Sequence, residues 1–129
     1  MRAPQLYRGT SPDIRYTGFN WKADTYLTDD FETAAIYGRL GQVERATLVA
    51  DANVVLAEDA LVRTIEKSSN PARTARDLEV EVIWNPSSQW VGCVHPHEVI
   101  VFASRLVRFG PVTKAERQRA AKIALMLAK

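Results

Sequence analysis

The sequence predicts an α+β domain in which a mostly antiparallel sheet surrounds a cleft and a helix follows at the C-terminal end. Three observations lead there. A strand–helix alternation fills the first half, and alternating, β-branched stretches dominate the second. The last stretch, KAERQRAAKIALMLAK, consists of good helix formers. The length of 129 residues with 47% hydrophobic and 25% charged residues suits one self-sufficient core rather than two domains or a disordered chain.

Taken in order, Leu6 and Tyr7 read as a strand that ends in the turn formers Gly9 to Pro12, so that Arg8 stands at a strand end facing a cleft. The mixed stretch DIRYTGFNWKAD, 13–24, reads as an irregular flap. TYLT, 25–28, is a short strand. Asp29 or Asp30 then caps a helix over 31–40, in which Phe31, Ala34, Ala35 and Leu40 follow helical spacing and Gly41 stops it. QVERATLVA alternates and NVVL follows a turn-like DAN, so both are strands. In AEDALVRTIEKSS the helical spacing puts Ala60, Leu61 and Ile65 on one face. SSNP is a loop, and ARTARD adds a turn of helix. LEVEVIW alternates with Leu78, Val80, Val82 and Trp84 inward. HEVIVF and RLVRFGPV complete the sheet. Residues 1–112 form the body, and 113–129 form an amphipathic helix packed on it. Its Ile123, Leu125, Met126 and Leu127 supply the docking face.

The formal charge of +2 is too small to single out nucleic acid as the partner. With Cys93 as the one cysteine, no intramolecular disulfide can form, and a cytoplasmic location is expected. MRAPQLYRG lacks the apolar core of a signal segment, and no run approaches the roughly 18 apolar residues of a membrane helix, so no membrane partner is expected.

Three short pieces carry the functional signal: LYRGT, TYLT and HEVIV. Together they resemble the ADP-ribosyltransferase superfamily, enzymes that cleave NAD at its nicotinamide–ribose bond and pass ADP-ribose to an acceptor. In that superfamily a first strand ends in Arg or His followed by small residues, a second carries Tyr or Ser/Thr, and a later one begins with the catalytic Glu. LYRG resembles the cholera-toxin-like branch. Tyr26 and Tyr37, separated by 37 − 26 = 11 positions on a strand–helix unit, resemble the diphtheria-toxin and poly-ADP-ribose-polymerase branch. The resemblance spans residues 5 to about 112. It implies a split sheet around an NAD cleft, with NAD as substrate and no metal. Catalysis falls to Glu98, Arg8 and Tyr26, and NAD binding to Arg8, Gly9, Thr10, Tyr26, Thr28 and Tyr37. It further implies mono-ADP-ribosyl transfer to a protein or nucleic-acid acceptor, and a toxin or effector role in which an antitoxin or inhibitor protein is a partner. Pro96, two positions before Glu98, departs from the arginine-specific pattern, so arginine is not implied as the acceptor.

The chemistry of NAD cleavage makes the same demands. The bond breaks through an oxocarbenium-like ribose, which a carboxylate such as Glu98 stabilises. Nicotinamide in NAD is a flat cation, and two phenol rings such as Tyr26 and Tyr37 bind it by stacking worth roughly 0.5–2 kcal/mol. The planar guanidinium of Arg8 suits the pyrophosphate. Gly9, lacking a side chain, admits close backbone approach.

Plainer readings stand beside these. Arg8 pairs with a surface carboxylate, Tyr26 and Tyr37 are core aromatics, and Glu98 is a solvated strand-end charge. Glu79 and Glu81 form a Glu-x-Glu pair that rivals Glu98, although alternation turns both toward water. Cys93, His95 and His97 fall on one side of an extended strand, too widely spaced for all three to reach one zinc. Asn20 and Trp21 lie in the flap, with Trp21 expected in the core. Lys114, Arg117, Arg119 and Lys122 make the terminal helix basic, whether as a solvated face or as a contact surface. The alternative functions are NAD hydrolysis and a non-catalytic module of the same fold that binds nucleic acid or a protein.

Overall fold

The computed structural model describes residues 5–10, 18–38 and 42–127. Among these, seven strands form one sheet in the order β4-β5-β6-β2-β1-β3-β7. The strands are β1 (Leu6–Gly9), β2 (Thr25–Thr28), β3 (Val43–Leu48), β4 (Val54–Leu56), β5 (Val82–Trp84), β6 (Glu98–Val101) and β7 (Val107–Pro111). The helices are α1 (Phe31–Gly38), α2 (Ala60–Lys67), α3 (Pro71–Asp77) and α4 (Lys114–Leu127). Only β4 and β5 run parallel, because α2 and α3 lie between them in the chain and supply the long crossover that parallel strands need. The result is a single α+β domain with a mixed sheet and a C-terminal helix.

The sheet is not split as expected, since all seven strands join in one ladder. Its central joint is nevertheless short. Strands β1 and β2 share a single register pair, Tyr7 with Thr28. Continued by two residues, the ladder would set Gly9 opposite Tyr26, and beyond the Tyr7 pair the strands part instead.

Burial on both sheet faces fixes the register. Ile83 and Ile100 join Trp21, Val62, Ile65 and Val94 under α2, while Val82, Val99 and Val101 pack with Leu6, Leu27 and Leu106 on the other face. A third cluster wraps Tyr7, Phe31, Ala34, Ala35 and Val43 beneath α4. Each large apolar side chain taken from water contributes roughly 1.5–3 kcal/mol, and Trp21 is fully buried as expected.

Several local readings change. Strand β5 begins only at Val82, because Glu79 adopts φ +60° and breaks the alternation. Helix α2 buries Val62 and Ile65, with Ala60 and Leu61 exposed, because the Asp59 cap starts the helix at Ala60 and so sets its rotation. Cys93 and His97 lie in turns and His95 in irregular backbone between them, rather than along a strand, with His97 at φ +59°. On α4 the docking stripe is Ala120 and Ala124, with the expected Ile123 partly buried beside them. Leu125 and Met126 are 67% and 74% exposed, because close approach to α1 requires the small side chains. The predicted turn at 11–12, the first part of the flap, and Leu40 with Gly41 lie outside the described residues.

Candidate active site

A cavity of about 490 Å³ opens where β1 and β2 part, a size suited to a nucleotide-scale ligand. Strand β1 and the residue after it contribute Tyr7, Arg8, Gly9 and Thr10. Strand β2 contributes Tyr26, Leu27 and Thr28. Helix α1 roofs it with Thr33, Ala34 and Tyr37, and the approach to β6 adds His95, Pro96 and Glu98. The seven residues that the resemblance assigned to the site (Arg8, Gly9, Thr10, Tyr26, Thr28, Tyr37 and Glu98) all line this one cavity. Helix α1 is fixed over the sheet by Asp30, the cap among the two candidates. Its carboxylate accepts from Thr33 N at 3.2 Å and from the Thr33 hydroxyl at 2.7 Å.

A row of three residues crosses the centre of the sheet. Tyr7 stands opposite Thr28, and Thr28 opposite Glu98. Side chains in such a row share one face, so Tyr7 and Glu98 look onto the same side of the sheet with Thr28 of β2 between them. Glu98, the first residue of β6, is only 6% exposed. The backbone N–H of His95 donates to its Oε1 at 3.0 Å. Beside it the Tyr26 phenol is pushed up by burial. Backbone hydrogen bonds from Ala23 and Trp21 partly offset that, and the nearby Glu98 charge adds to it. The plainer reading of Glu98 as a solvated strand end is thereby overturned.

Arg8 and Gly9 behave differently from expectation. Alternation places Arg8 on the face of Leu6, opposite to Tyr7. Its guanidinium pairs with Glu44 at 3.3 Å and sits 3.6 Å over the ring of Phe109. The plainer ion pair is thus present. Gly9 lies flush against α1, and a Cβ there would meet the Ala34 carbonyl and come within 2.6 Å of Gly38 N. The missing side chain first of all lets α1 close down on the strand.

Tyr7, Thr33, Ala34 and His95 escaped the sequence reading as cavity residues. The signal for Tyr7 was its i, i+2 relation to Gly9, and for His95 its place three residues before Glu98. The segment carrying His95 is anchored by Asn85, which is 1% exposed and donates through Nδ2 to the carbonyls of Gln89 and His95 at 2.8 and 3.0 Å. Glu66 adds an acceptor for Cys93 N at 2.8 Å.

Neither glutamate of the rival pair lines the cavity. Glu81 accepts from Asn53 N at 2.9 Å and faces Arg105 at 3.4 Å, which makes it a structural carboxylate. Among the described residues no group of three His, Cys, Asp or Glu side chains is placed to hold a metal. His97 instead sets its Nδ1 2.7 Å from Asp29, whose other oxygen accepts from Trp84 Nε1 at 2.8 Å.

No protein-family model, curated protein or solved structure matches the chain. Its own geometry is therefore the ground for any function. Also among the described residues, no helix is long and apolar enough to cross a membrane.

Proposed function

We propose that this chain is an NAD-dependent mono-ADP-ribosyltransferase that passes ADP-ribose to a protein or nucleic-acid acceptor and releases nicotinamide. One observation carries the reading. Seven residues chosen from four separate stretches of sequence (8–10, 26–28, 37 and 98) line a single cavity. Tyr26 and Tyr37, from the sheet and from the helix above it, flank the nicotinamide cation. Gly9 and Thr10 line its edge, and Thr28 lies between the rings and the acid.

Glu98 faces the ribose. As the C1′–nitrogen bond breaks, its electron pair leaves with neutral nicotinamide and the ribose becomes cationic. A preorganised carboxylate shielded from water stabilises that charge far better than a solvated one. Arg8 serves the pyrophosphate by exchanging its partner. The pair with Glu44 is partly exposed, and such pairs are worth about 0–1 kcal/mol, so giving it up for a phosphate costs little.

The test is nicotinamide release from NAD. Glu98→Gln keeps the shape and removes the charge, and it lowers the rate by about 10²–10³-fold. Glu81→Gln leaves the rate unchanged. The opposite pattern, or no release by the unaltered protein, refutes the assignment.

A further inference from the structure

We propose that His95 is the general base of this reaction, its imidazole taking the proton from an acceptor hydroxyl as the oxygen attacks the ribose C1′. The inference rests on the transferase reading given above. It assigns to the cavity a second chemical role, and it points to a hydroxyl-bearing acceptor.

Transfer needs two separate services. One stabilises the ribosyl cation, and the other removes a proton from the attacking group. The cation needs a charged carboxylate beside it throughout the step, and a Glu98 that took the acceptor's proton would lose that charge while the ribosyl cation is still there. The phenols of the cavity belong to a class that titrates near 10. Burial pushes Tyr26 higher still, and Tyr7 is raised to about 12. Arg8 does not deprotonate in proteins. Among the described lining residues that leaves His95, whose imidazole is the side chain most often used as a general base.

Its placement fits the role. The His95 N–H holds Glu98 Oε1 at 3.0 Å, so acid and base are fixed to each other through one short turn. The ring is half-buried and packs on Trp90 with centroids 4.0 Å apart, while Trp90 itself is 58% exposed. The imidazole thus links the cavity lining to an exposed aromatic side chain. The new bond joins the acceptor oxygen to C1′, the C1′–nitrogen bond is lost, and the hydroxyl proton passes to His95 and on to water.

Nicotinamide and an alcohol make different demands on the same cation. Nicotinamide attacks through a ring nitrogen that carries no proton, so exchange of labelled nicotinamide into NAD needs Glu98 but no base. Methanolysis of NAD, with methanol as the acceptor, needs both. In His95→Gln, exchange should stay within about threefold of the unaltered protein, while methanolysis falls about 100-fold, within the range of a lost general base. In His95→Ala, added imidazole should restore methanolysis. Retained exchange also shows that the variants fold. Equal rates of methanolysis with and without His95, or loss of both activities that imidazole does not restore, overturns the proposal. An unaltered protein that shows neither exchange nor methanolysis removes the transferase reading, and this base with it.

Discussion

The hydroxyl of Tyr7, in the first strand, donates a 2.7 Å hydrogen bond to Oε2 of Glu116 in the last helix. The same carboxylate accepts from Arg45 Nε at 3.0 Å and from Thr113 N at 2.9 Å. Thr113 and Glu116 also form a reciprocal cap, Glu116 N donating to Thr113 Oγ1 at 3.1 Å. The C-terminal helix is thereby tied to a wall residue of the cavity.

This joint makes stability depend on pH in a bell shape. Burial alone would push the Glu116 carboxyl up, but hydrogen bonds from Tyr7, Thr113 and Arg45 outweigh it and bring it from 4.5 down to about 2. A lowered carboxyl stabilises above its unfolded value, and that contribution fades as pH falls from 4.5 toward 2. Tyr7 is raised from 10 to about 12, by burial first and then by Glu116, so its contribution holds below 10 and fades as pH climbs toward 12. Glu116→Gln should cost about 1–2 kcal/mol near neutral pH and much less near pH 3. Denaturant titrations of both proteins at these pH values measure it, and a loss that does not shrink in acid refutes the assignment.

Gly9→Ala should destabilise by about 2–3 kcal/mol or more, since its methyl meets α1 backbone that cannot rotate aside. Thermal unfolding reads this directly. A neutral outcome would mean that α1 does not sit against β1 as described.

Asn85→Ala should cost about 2–3 kcal/mol. It strips a buried donor from the carbonyls of Gln89 and His95. Because those bonds anchor the segment carrying His95, hydrogen exchange over 86–97 should quicken more than exchange in β3 or β7. Uniform quickening would place the defect in the whole fold instead.

Glu44→Gln should tighten NAD binding by a few-fold by releasing the Arg8 guanidinium, and Arg8→Ala should weaken it. Calorimetric titration with NAD separates the two. Identical affinities in all three proteins would deny Arg8 any part in the site.

The elements themselves were largely legible in the sequence because their signals are local. Asp30 ahead of FETAA, Asn70 ahead of the Pro71 that begins α3, and the apolar run of β6 depend on neighbours a few residues away. The convergence of LYRGT, TYLT and HEVIV on one cavity was legible through the short motifs they carry. The alternation of β1 sets the face of Arg8, but which carboxylate and ring would meet it depended on the pairing of β1 with β3 and of β3 with β7.

By itself, then, the sequence determined the helices, most strands and the burial of Trp21. Tertiary structure alone decided that β1 joins β2 through one pair and then opens, that His95 rather than Glu81 stands beside Glu98, and that alanines rather than leucines seat α4. The reason is range. Propensity and periodicity act over a few residues, whereas register between β1, β2 and β6 is set by side chains scattered over the chain, whose burial becomes favourable only when they pack together.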